Sequence, residues 1–130
     1  MKGLKLRTSG AWAEIAGRLG ASTVILPGAE VYPALERGVV DAIEWSSAAV
    51  NLPSGFHKIT KYIIMPGIHA PGGAQECAFN LDAWNRISEE DQNLLKLAGK
   101  MMAYDSWSRY AYRDIAAMKA MRDYGNEFVI

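Results

Sequence analysis

One uninterrupted stretch near the end of this sequence limits what the chain can fold into more than any other feature. From Ser88 to Tyr124 there is no proline and one glycine, Gly99. Ser88 followed by three acidic residues is typical of a helix start, because the serine can cap free N–H groups and acids favour the positive end of the helix dipole. Apolar residues then recur at spacings of three and four, at Leu94, Leu97, Met101, Tyr104, Ala111, Ile115 and Met118.

A helix of this length extends beyond a small domain. At about 1.5 Å per residue, a helix of more than about 30 residues spans about 50 Å. The diameter of a 130-residue domain is about 30 Å or slightly more. We therefore predict that residues 88–125 form a long helix that bridges to another domain or to another subunit.

The first 45 residues show the alternation of an α/β fold. Residues 4–7 alternate apolar and polar side chains, which is the period of a half-buried strand. The complete pattern predicts strands at 4–7, 23–26 and 39–43, separated by helices at 11–19 and 30–37. Such an order implies parallel strands with helices packed on them. The predicted class is α/β, with a βαβαβ start and a long C-terminal helix.

The rest of the chain is divided by turn residues. Residues 46–55 are predicted to be irregular or briefly helical, and the remaining pattern predicts strands at 62–65 and 76–80 and a short helix at 81–87. We predict that residues 1–87 form the α/β lobe portion, that the bridging helix follows at 88–125, and that residues 126–130 form a terminal strand or tail.

Composition argues against several classes of function. The chain has 14 basic and 14 acidic residues, a formal net charge of zero and no basic block, which argues against binding nucleic acid. Cys77 is the only cysteine, so no internal disulfide can form. The start at Met1 lacks the apolar core and cleavage site of a signal peptide, and a predicted strand follows at once. We therefore expect a fragment of a longer protein.

Arg7 ends the first predicted strand and precedes a turn. In an open α/β sheet, ligands bind beyond the carboxyl ends of the strands. A guanidinium there can bind a carboxylate through two parallel hydrogen bonds, which lysine cannot reproduce. From the local sequence alone, an ordinary solvated arginine on an edge strand is the stronger interpretation.

Glu44 and Trp45 end the third predicted strand, so they should lie at the same edge of the sheet as Arg7. The tryptophan could supply an apolar wall and an indole donor. Oxygen atoms of Glu44 and Trp45 could hold a hard cation such as sodium or calcium. The alternative is a core tryptophan beside a solvated glutamate, and the residues alone leave the two interpretations about even.

The histidines show no pattern of catalysis or metal binding. His57 and His69 have no ligand-like spacing to each other or to Cys77, and neither lies beside an obvious nucleophile. We interpret both as structural or exposed, and we retain His69 as a candidate ligand contact because its loop is flanked by glycine and proline. Cys77, inside a predicted strand, is interpreted as a small buried apolar residue. These residues favour binding over catalysis.

The sequence resembles the solute-binding proteins of TRAP transporters. The resemblance is carried by an ordered set of segments at 2–7, 19–21, 26–35 and 38–45. The Glu44-Trp45 pair and the Pro-Gly-x-His-x-Pro-Gly stretch at 66–72 resemble the branch that binds 2-oxo acids such as pyruvate. Asn80, the Ala-Trp pair at 83–84 and the Ser-Glu-Glu-Asp-Gln start of the long helix also match.

The resemblance implies a periplasmic protein of two α/β lobes, with this chain as a partial lobe like that of type II periplasmic binding proteins. The two lobes would close around a small carboxylate, without a cofactor beyond a possible sodium or calcium ion, and deliver it to a TRAP membrane permease. Arg7 would match the arginine that pairs with the ligand carboxylate, and Glu44 and Trp45 the residues near the cation and ligand. Ala70 stands where this branch often has an acidic residue. The N-terminal lobe of such a protein has no counterpart here, so we expect weak or no ligand binding by a monomer, together with self-association into a homo-oligomer.

Two other classes of function compete with this interpretation. The first is a truncated interaction module, an oligomer held together by the long helix and without a ligand. The second is an enzyme acting on small acids, with Glu44 or His69 as the base. The enzyme is disfavoured because no nucleophile–base pair and no cofactor motif is visible.

Overall fold

The computed structural model describes residues 1–67 and 76–130. The strands in these ranges are β1 Lys5–Arg7, β2 Ser22–Val24, β3 Ala42–Ile43, β4 Tyr62–Ile64 and β5 Glu127–Val129. The α-helices are α1 Gly10–Arg18, α2 Gly28–Glu36, α3 Ala48–Asn51, α4 Leu81–Asn85 and α5 Glu89–Tyr124, with a 3-10 turn at Phe56–Lys58. Within the described residues, no helix combines the length and the apolar character needed to cross a membrane.

The first three strands form a parallel sheet in the order β2-β1-β3. Arg7, at the end of the central strand, lies opposite Val24 on one side and Ile43 on the other. Helix α1 connects β1 to its parallel neighbour β2, and α2 connects β2 to β3 across the central strand β1. The predicted α/β class and the βαβαβ order are confirmed.

The larger apolar core lies between α2 and the segment after α3. Its buried members are Val31, Leu35, Val40 and Phe56. Val31 and Leu35 are four residues apart on α2 and therefore share one face of that helix. Trp45 packs against this core as a partly buried residue. The core thus reaches the edge of the sheet at which the candidate site lies.

A second, smaller core joins the end of α5 to α3. Its buried members are Ala48, Ala117 and Met121. Asp114 strengthens this contact, because its Oδ1 accepts a 2.7 Å hydrogen bond from the backbone N–H of Ala49 at the start of α3. Strand β5 then pairs in parallel with β4, with Ile63 opposite Phe128.

Helix α5 begins and ends where the sequence predicts. The Ser88 side chain accepts from the N–H of Asp91, and Gly125 ends the helix with φ +112°, a conformation that suits glycine. The helix is 36 residues long, about 54 Å at 1.5 Å per residue. Its apolar side chains do not form one face along the whole length, and its middle is exposed, with Tyr104 82% and Trp107 75% accessible.

The structure corrects two local predictions. Residues 76–80 are irregular, whereas the sequence predicts a strand there. No neighbouring strand among the described residues pairs with them, and Asn80 instead caps α4 by accepting from the N–H of Ala83. Cys77 is exposed and not buried as predicted. The proline-glycine loop containing His69 lies outside the described residues.

Candidate functional site

The candidate site lies at the carboxyl edge of the first sheet. The parallel register brings Arg7, the end of β2 and the start of the segment after β3 to the same edge. The backbone N–H of Glu44 donates to the carbonyl of Arg7 at 2.9 Å, so these two residues are directly linked. The predicted convergence of Arg7 with Glu44 and Trp45 is therefore present in the fold.

The Arg7 guanidinium is half-buried and held in a defined orientation. Its Nη1 donates to the carbonyl of Glu44 at 3.0 Å, and its Nη2 donates to the carbonyl of Leu26 at 3.2 Å. One side chain thus ties together the segments that follow β2 and β3. Its Nε is buried and has no hydrogen-bond partner among the described residues.

Trp45 covers one face of this guanidinium. The Arg7 Cζ lies 4.9 Å from the centroid of the Trp45 ring, within the range of a cation–π contact. On another side, the Trp45 ring meets Phe56 edge-on, with the ring centroids 5.6 Å apart. The sheet edge around Arg7, Glu44 and Trp45 is called the Arg7 rim. The indole is both a core residue and a wall of this rim, so the two interpretations of Trp45 are compatible.

Glu44 is oriented by a residue next to Arg7. Thr8 is completely buried, and its Oγ1 donates to Oε2 of Glu44 at 3.2 Å. The backbone N–H of Thr8 donates to the carbonyl of Val24 at 3.1 Å, which holds Thr8 against β2. One carboxylate oxygen of Glu44 thus has a fixed position at the rim.

The two candidate histidines, His57 and His69, are not among the residues that the structure shows at this rim. His57 is buried near the end of α5, where its ring meets Tyr124 edge-on at 5.1 Å and its carbonyl accepts from Asn126. This position agrees with the structural role predicted for it. His69 lies outside the described residues.

Cavities and metal-ligand clusters do not point to a different site. A cavity of about 260 Å³ is lined by Cys77, Phe79, Trp84, Leu95, Lys96 and Gly99, and one of about 170 Å³ by Ser106, Arg109, Tyr110 and Arg113. Neither cavity includes a residue of the Arg7 rim. In residues 1–67 and 76–130, no group of three or more His, Cys, Asp or Glu side chains could hold a metal ion.

Comparison with known proteins identifies the family. Residues 1–129 match the family described as bacterial extracellular solute-binding protein, family 7, or DctP. The chain belongs to this family. The resemblance to TRAP solute-binding proteins is thereby confirmed, and the family is one of transport proteins that bind solutes.

Individual relatives agree with the family assignment. A monocarboxylate 2-oxoacid-binding periplasmic protein of Nostoc sp. is 39% identical over 98 residues, which are 75% of this chain and 27% of that protein. A TRAP periplasmic solute binding protein from Pseudoalteromonas atlantica, solved with bound sodium and pyruvate, is 34% identical with a TM-score of 0.78. That match covers 98% of this chain and 39% of the other.

A third solved protein resembles this chain in its fold. A TRAP solute binding protein from Bordetella bronchiseptica, solved with copurified calcium and picolinate, has a TM-score of 0.82 at 23% identity. The match covers 98% of this chain and 38% of that one. The chain therefore spans about two fifths or less of the length of these relatives.

Three rim residues are missed by reasoning from the sequence. They are Thr8, which positions Glu44; Leu26, whose carbonyl accepts from Arg7; and Gly28, next to the Trp45 ring. Leu26 acts through its backbone, so its side-chain type carries no signal. Thr8 carries a weak signal, because it is a polar residue directly after a strand-ending arginine.

Proposed function

We propose that this chain contributes the Arg7 rim to a carboxylate-binding site in an extracytoplasmic solute-binding subunit of a TRAP transporter, with a 2-oxo acid as the ligand. The observation that carries the proposal is the half-buried Arg7 guanidinium at the shared edge of three parallel strands. Support for the ligand class comes from the 2-oxoacid-binding relative of Nostoc sp. and from the pyruvate in the P. atlantica protein.

The chemistry of Arg7 suits a carboxylate. An arginine side chain has five N–H donors. Two of those of Arg7 donate to the carbonyls of Glu44 and Leu26. Those bonds fix the plane of the guanidinium, so a ligand carboxylate meets an oriented donor set and not a flexible cation. Trp45 shields one face of the group from water, which strengthens a charge-assisted hydrogen bond.

A sodium or calcium ion and a further ligand contact belong to the same proposal. Hard cations take oxygen ligands, and the rim offers the Glu44 carboxylate, held by Thr8, and the backbone oxygen of Trp45. Sodium accompanies pyruvate in the P. atlantica protein. We assign His69, outside the described residues, as a second ligand contact.

The proposed biological setting is that of the family. The subunit acts in the periplasm and delivers its carboxylate to the TRAP membrane permease, which an ion gradient drives. The chain's role is binding, with no chemical conversion of the ligand. Arg7 is only half-buried, and a partly exposed charge pair contributes about 1 kcal/mol or less, so a monomer of this chain should bind weakly, with a Kd on the order of millimolar or above.

Calorimetry tests the proposal. Pyruvate and a branched-chain 2-oxo acid are titrated into the chain in sodium and then in calcium, using wild type, Arg7→Ala and Arg18→Ala. Arg18 is a matched control, because it is an exposed arginine paired with Glu14 on α1. We expect weak binding that Arg7→Ala abolishes and Arg18→Ala retains. Equal binding by the Arg7 variant would show that the site is elsewhere.

The second candidate function is an interaction module in which α5 holds two copies of this chain together. The observation that favours it is the exposed apolar surface in the middle of α5, including Met101, Tyr104 and Trp107. A formal net charge of zero means that two copies do not repel each other strongly. In this case the chain would form a stable dimer that responds to no carboxylate.

A further inference from the structure

The Trp45 ring approaches the backbone of Gly28 closely. A Cβ atom placed on Gly28 would lie 3.1 Å from Cη2 of Trp45 and 3.9 Å from its Cζ2. Gly28 is the first residue of α2 and follows Pro27. The first distance is shorter than an ordinary van der Waals contact between carbon atoms. A methyl group at position 28 would therefore require the indole to shift by a few tenths of an ångström.

The indole is also held from the other sides. The Arg7 guanidinium lies 4.9 Å from the ring centroid, and the buried Phe56 ring meets it edge-on at 5.6 Å. Phe56 is itself stacked on Tyr32, with the centroids 6.3 Å apart. A ring pushed away from Gly28 therefore moves relative to Arg7, because the core behind Phe56 is packed.

We propose that Gly28 is a positioning residue: the absence of its side chain allows the Trp45 indole to cover the Arg7 guanidinium and so sets the shape of the carboxylate rim. Gly28 itself does not touch the carboxylate. Its importance for ligand binding rests on the proposed function, whereas its control of the Trp45–Arg7 contact does not.

The chain offers a matched control in Gly17. Gly17 also lies in a helix, α1, and is exposed, and a Cβ placed on it meets nothing within 4 Å. Alanine favours helix over glycine, so Gly17→Ala should leave stability unchanged or raise the melting temperature by about 2–5 °C. Gly28→Ala adds the same methyl group against the indole and should lower the melting temperature.

The direct readout is the Arg7 Nε–H signal in a ¹H–¹⁵N spectrum of the ligand-free chain. This N–H is buried, so it should exchange with water slowly enough for its signal to be observed. Its chemical shift should also depend on the ring current of the neighbouring Trp45 indole. Arg7→Lys assigns the signal by removing it. We expect Gly28→Ala to shift the signal and Gly17→Ala to leave it in place. An unchanged position in Gly28→Ala would overturn the proposal.

A double variant keeps the test decisive if Gly28→Ala does not fold. Phenylalanine lacks the outer indole atoms that the new Cβ would meet, so Trp45→Phe should remove the cost of the methyl group. We expect alanine at position 28 to lower the melting temperature with Trp45 present and to leave it unchanged with Phe present. The same loss in both backgrounds would show that Gly28 does not act through Trp45.

Ligand titration then separates this inference from the proposed function. If wild type binds pyruvate, Gly28→Ala should weaken the binding by about tenfold, in line with the cost of overpacking a filled site, and Gly17→Ala should not. Binding of equal strength in wild type and Gly28→Ala would contradict the role at the rim. If wild type binds no carboxylate, the proposed function fails, while the Nε–H signal and the double variant still decide whether Gly28 positions Trp45.

Discussion

At the scale of single residues, Arg7 connects parts of the chain that are far apart in sequence. It is the last residue of β1, yet its side chain donates to carbonyls at Leu26 and Glu44, after the two neighbouring strands. Both bonds require the planar guanidinium, with two donors pointing in different directions. The residue therefore has a structural role, and in the proposed function the bonds that stabilise the edge of the sheet also orient the donors for a carboxylate.

Replacing Arg7 with lysine tests this double role. A lysine can keep the charge and one of the two carbonyl bonds, so we expect Arg7→Lys to lower the free energy of unfolding by about 1–2 kcal/mol. Urea denaturation measures this change. Arg18→Lys is the control, because the exposed Arg18–Glu14 pair should change stability by less than about 0.5 kcal/mol. Equal effects of the two substitutions would contradict the account of Arg7.

The sequence predicts part of this site and not the rest. Arg7, Glu44 and Trp45 each follow an alternating or β-branched run, so their convergence at one edge of the sheet follows from local patterns. The Gly28–Trp45 approach does not, because it depends on how far α2 lies from β3. The same limit applies to the carbonyl of Leu26, since a backbone acceptor leaves no mark on residue type.

At the scale of elements, the buried residues of α5 lie near its C-terminal end in the part of the chain that the structure describes. Ala117 and Met121 are buried against α3, whereas Met101, 20 residues earlier, is 64% exposed. The apolar spacing alone predicts a long helix, but it does not predict which helical turns are buried against the rest of the protein. The end of α5 that carries the buried residues is the C-terminal end, next to β5. The pairing of β5 with β4 holds this end of the chain against the segment that follows α3.

Two methionines on α5 should therefore differ in importance. We expect Met121→Ala to lower the free energy of unfolding by about 2–5 kcal/mol, because it leaves a cavity in the smaller core. Met101→Ala should change it by less than about 0.5 kcal/mol in the monomer. Urea denaturation at low protein concentration makes the comparison. Similar losses for both would mean that the middle of α5 is packed within the monomer.

The β4–β5 pair carries an exposed ion pair at its start. Lys61 Nζ lies 3.0 Å from Oε1 of Glu127. The hydrogen bond to Glu127, followed by one to Tyr62 and by the charge of Glu127, raises the pKa of Lys61 above 10.5. Because the folded pKa is raised, the stabilisation is present below pH 10.5 and is lost as the pH rises through the folded pKa.

An NMR titration of Lys61 tests that shift. In wild type, the pKa of Lys61 should lie above 10.5, and Glu127→Gln should lower it, since the charge is removed. Asp123→Asn, which breaks the separate pair with Lys119, should leave the pKa of Lys61 unchanged. A pKa that is insensitive to Glu127→Gln would contradict the assigned cause.

Local sequence patterns predict the ends of helices, whereas the pairing of strands depends on residues far apart in the sequence. The cap at Ser88 and the glycine at 125 fix α5 to within one residue of the predicted range. The pairing of Tyr62 with Glu127 joins segments 65 positions apart, and no local pattern indicates it. The predicted strand at 76–80 was wrong because an apolar run needs a neighbouring strand, and the described residues provide none.

At the scale of the whole molecule, the chain exposes more surface than a compact protein of its mass. Its accessible surface is 9659 Å², whereas a compact monomer of 14.3 kDa exposes about 6,800 Å². On α5, large apolar side chains such as Met101, Tyr104 and Trp107 are open to water. Surfaces of this kind usually mark contacts with another protein surface.

That exposed surface predicts self-association through α5. We expect the sedimentation coefficient of the wild type to rise with protein concentration. A double variant, Met101→Glu with Tyr104→Glu, places two charges three residues apart on one helix face and should remain monomeric. Leu81→Glu, an exposed apolar position outside α5, should associate like the wild type. A wild type that stays monomeric at high concentration would contradict the prediction.

The central claim is that a carboxylate binds at the Arg7 rim, and NMR mapping tests it most directly. Pyruvate is added to ¹⁵N-labelled chain in sodium buffer, with 2,3-butanedione as an uncharged ligand of similar shape and sodium chloride as the ionic-strength control. We predict that pyruvate alone shifts the Arg7 Nε–H and Trp45 indole N–H signals, and that Arg7→Ala removes the Trp45 shift. No shift at these groups, or a Trp45 shift that persists in Arg7→Ala, would contradict the claim.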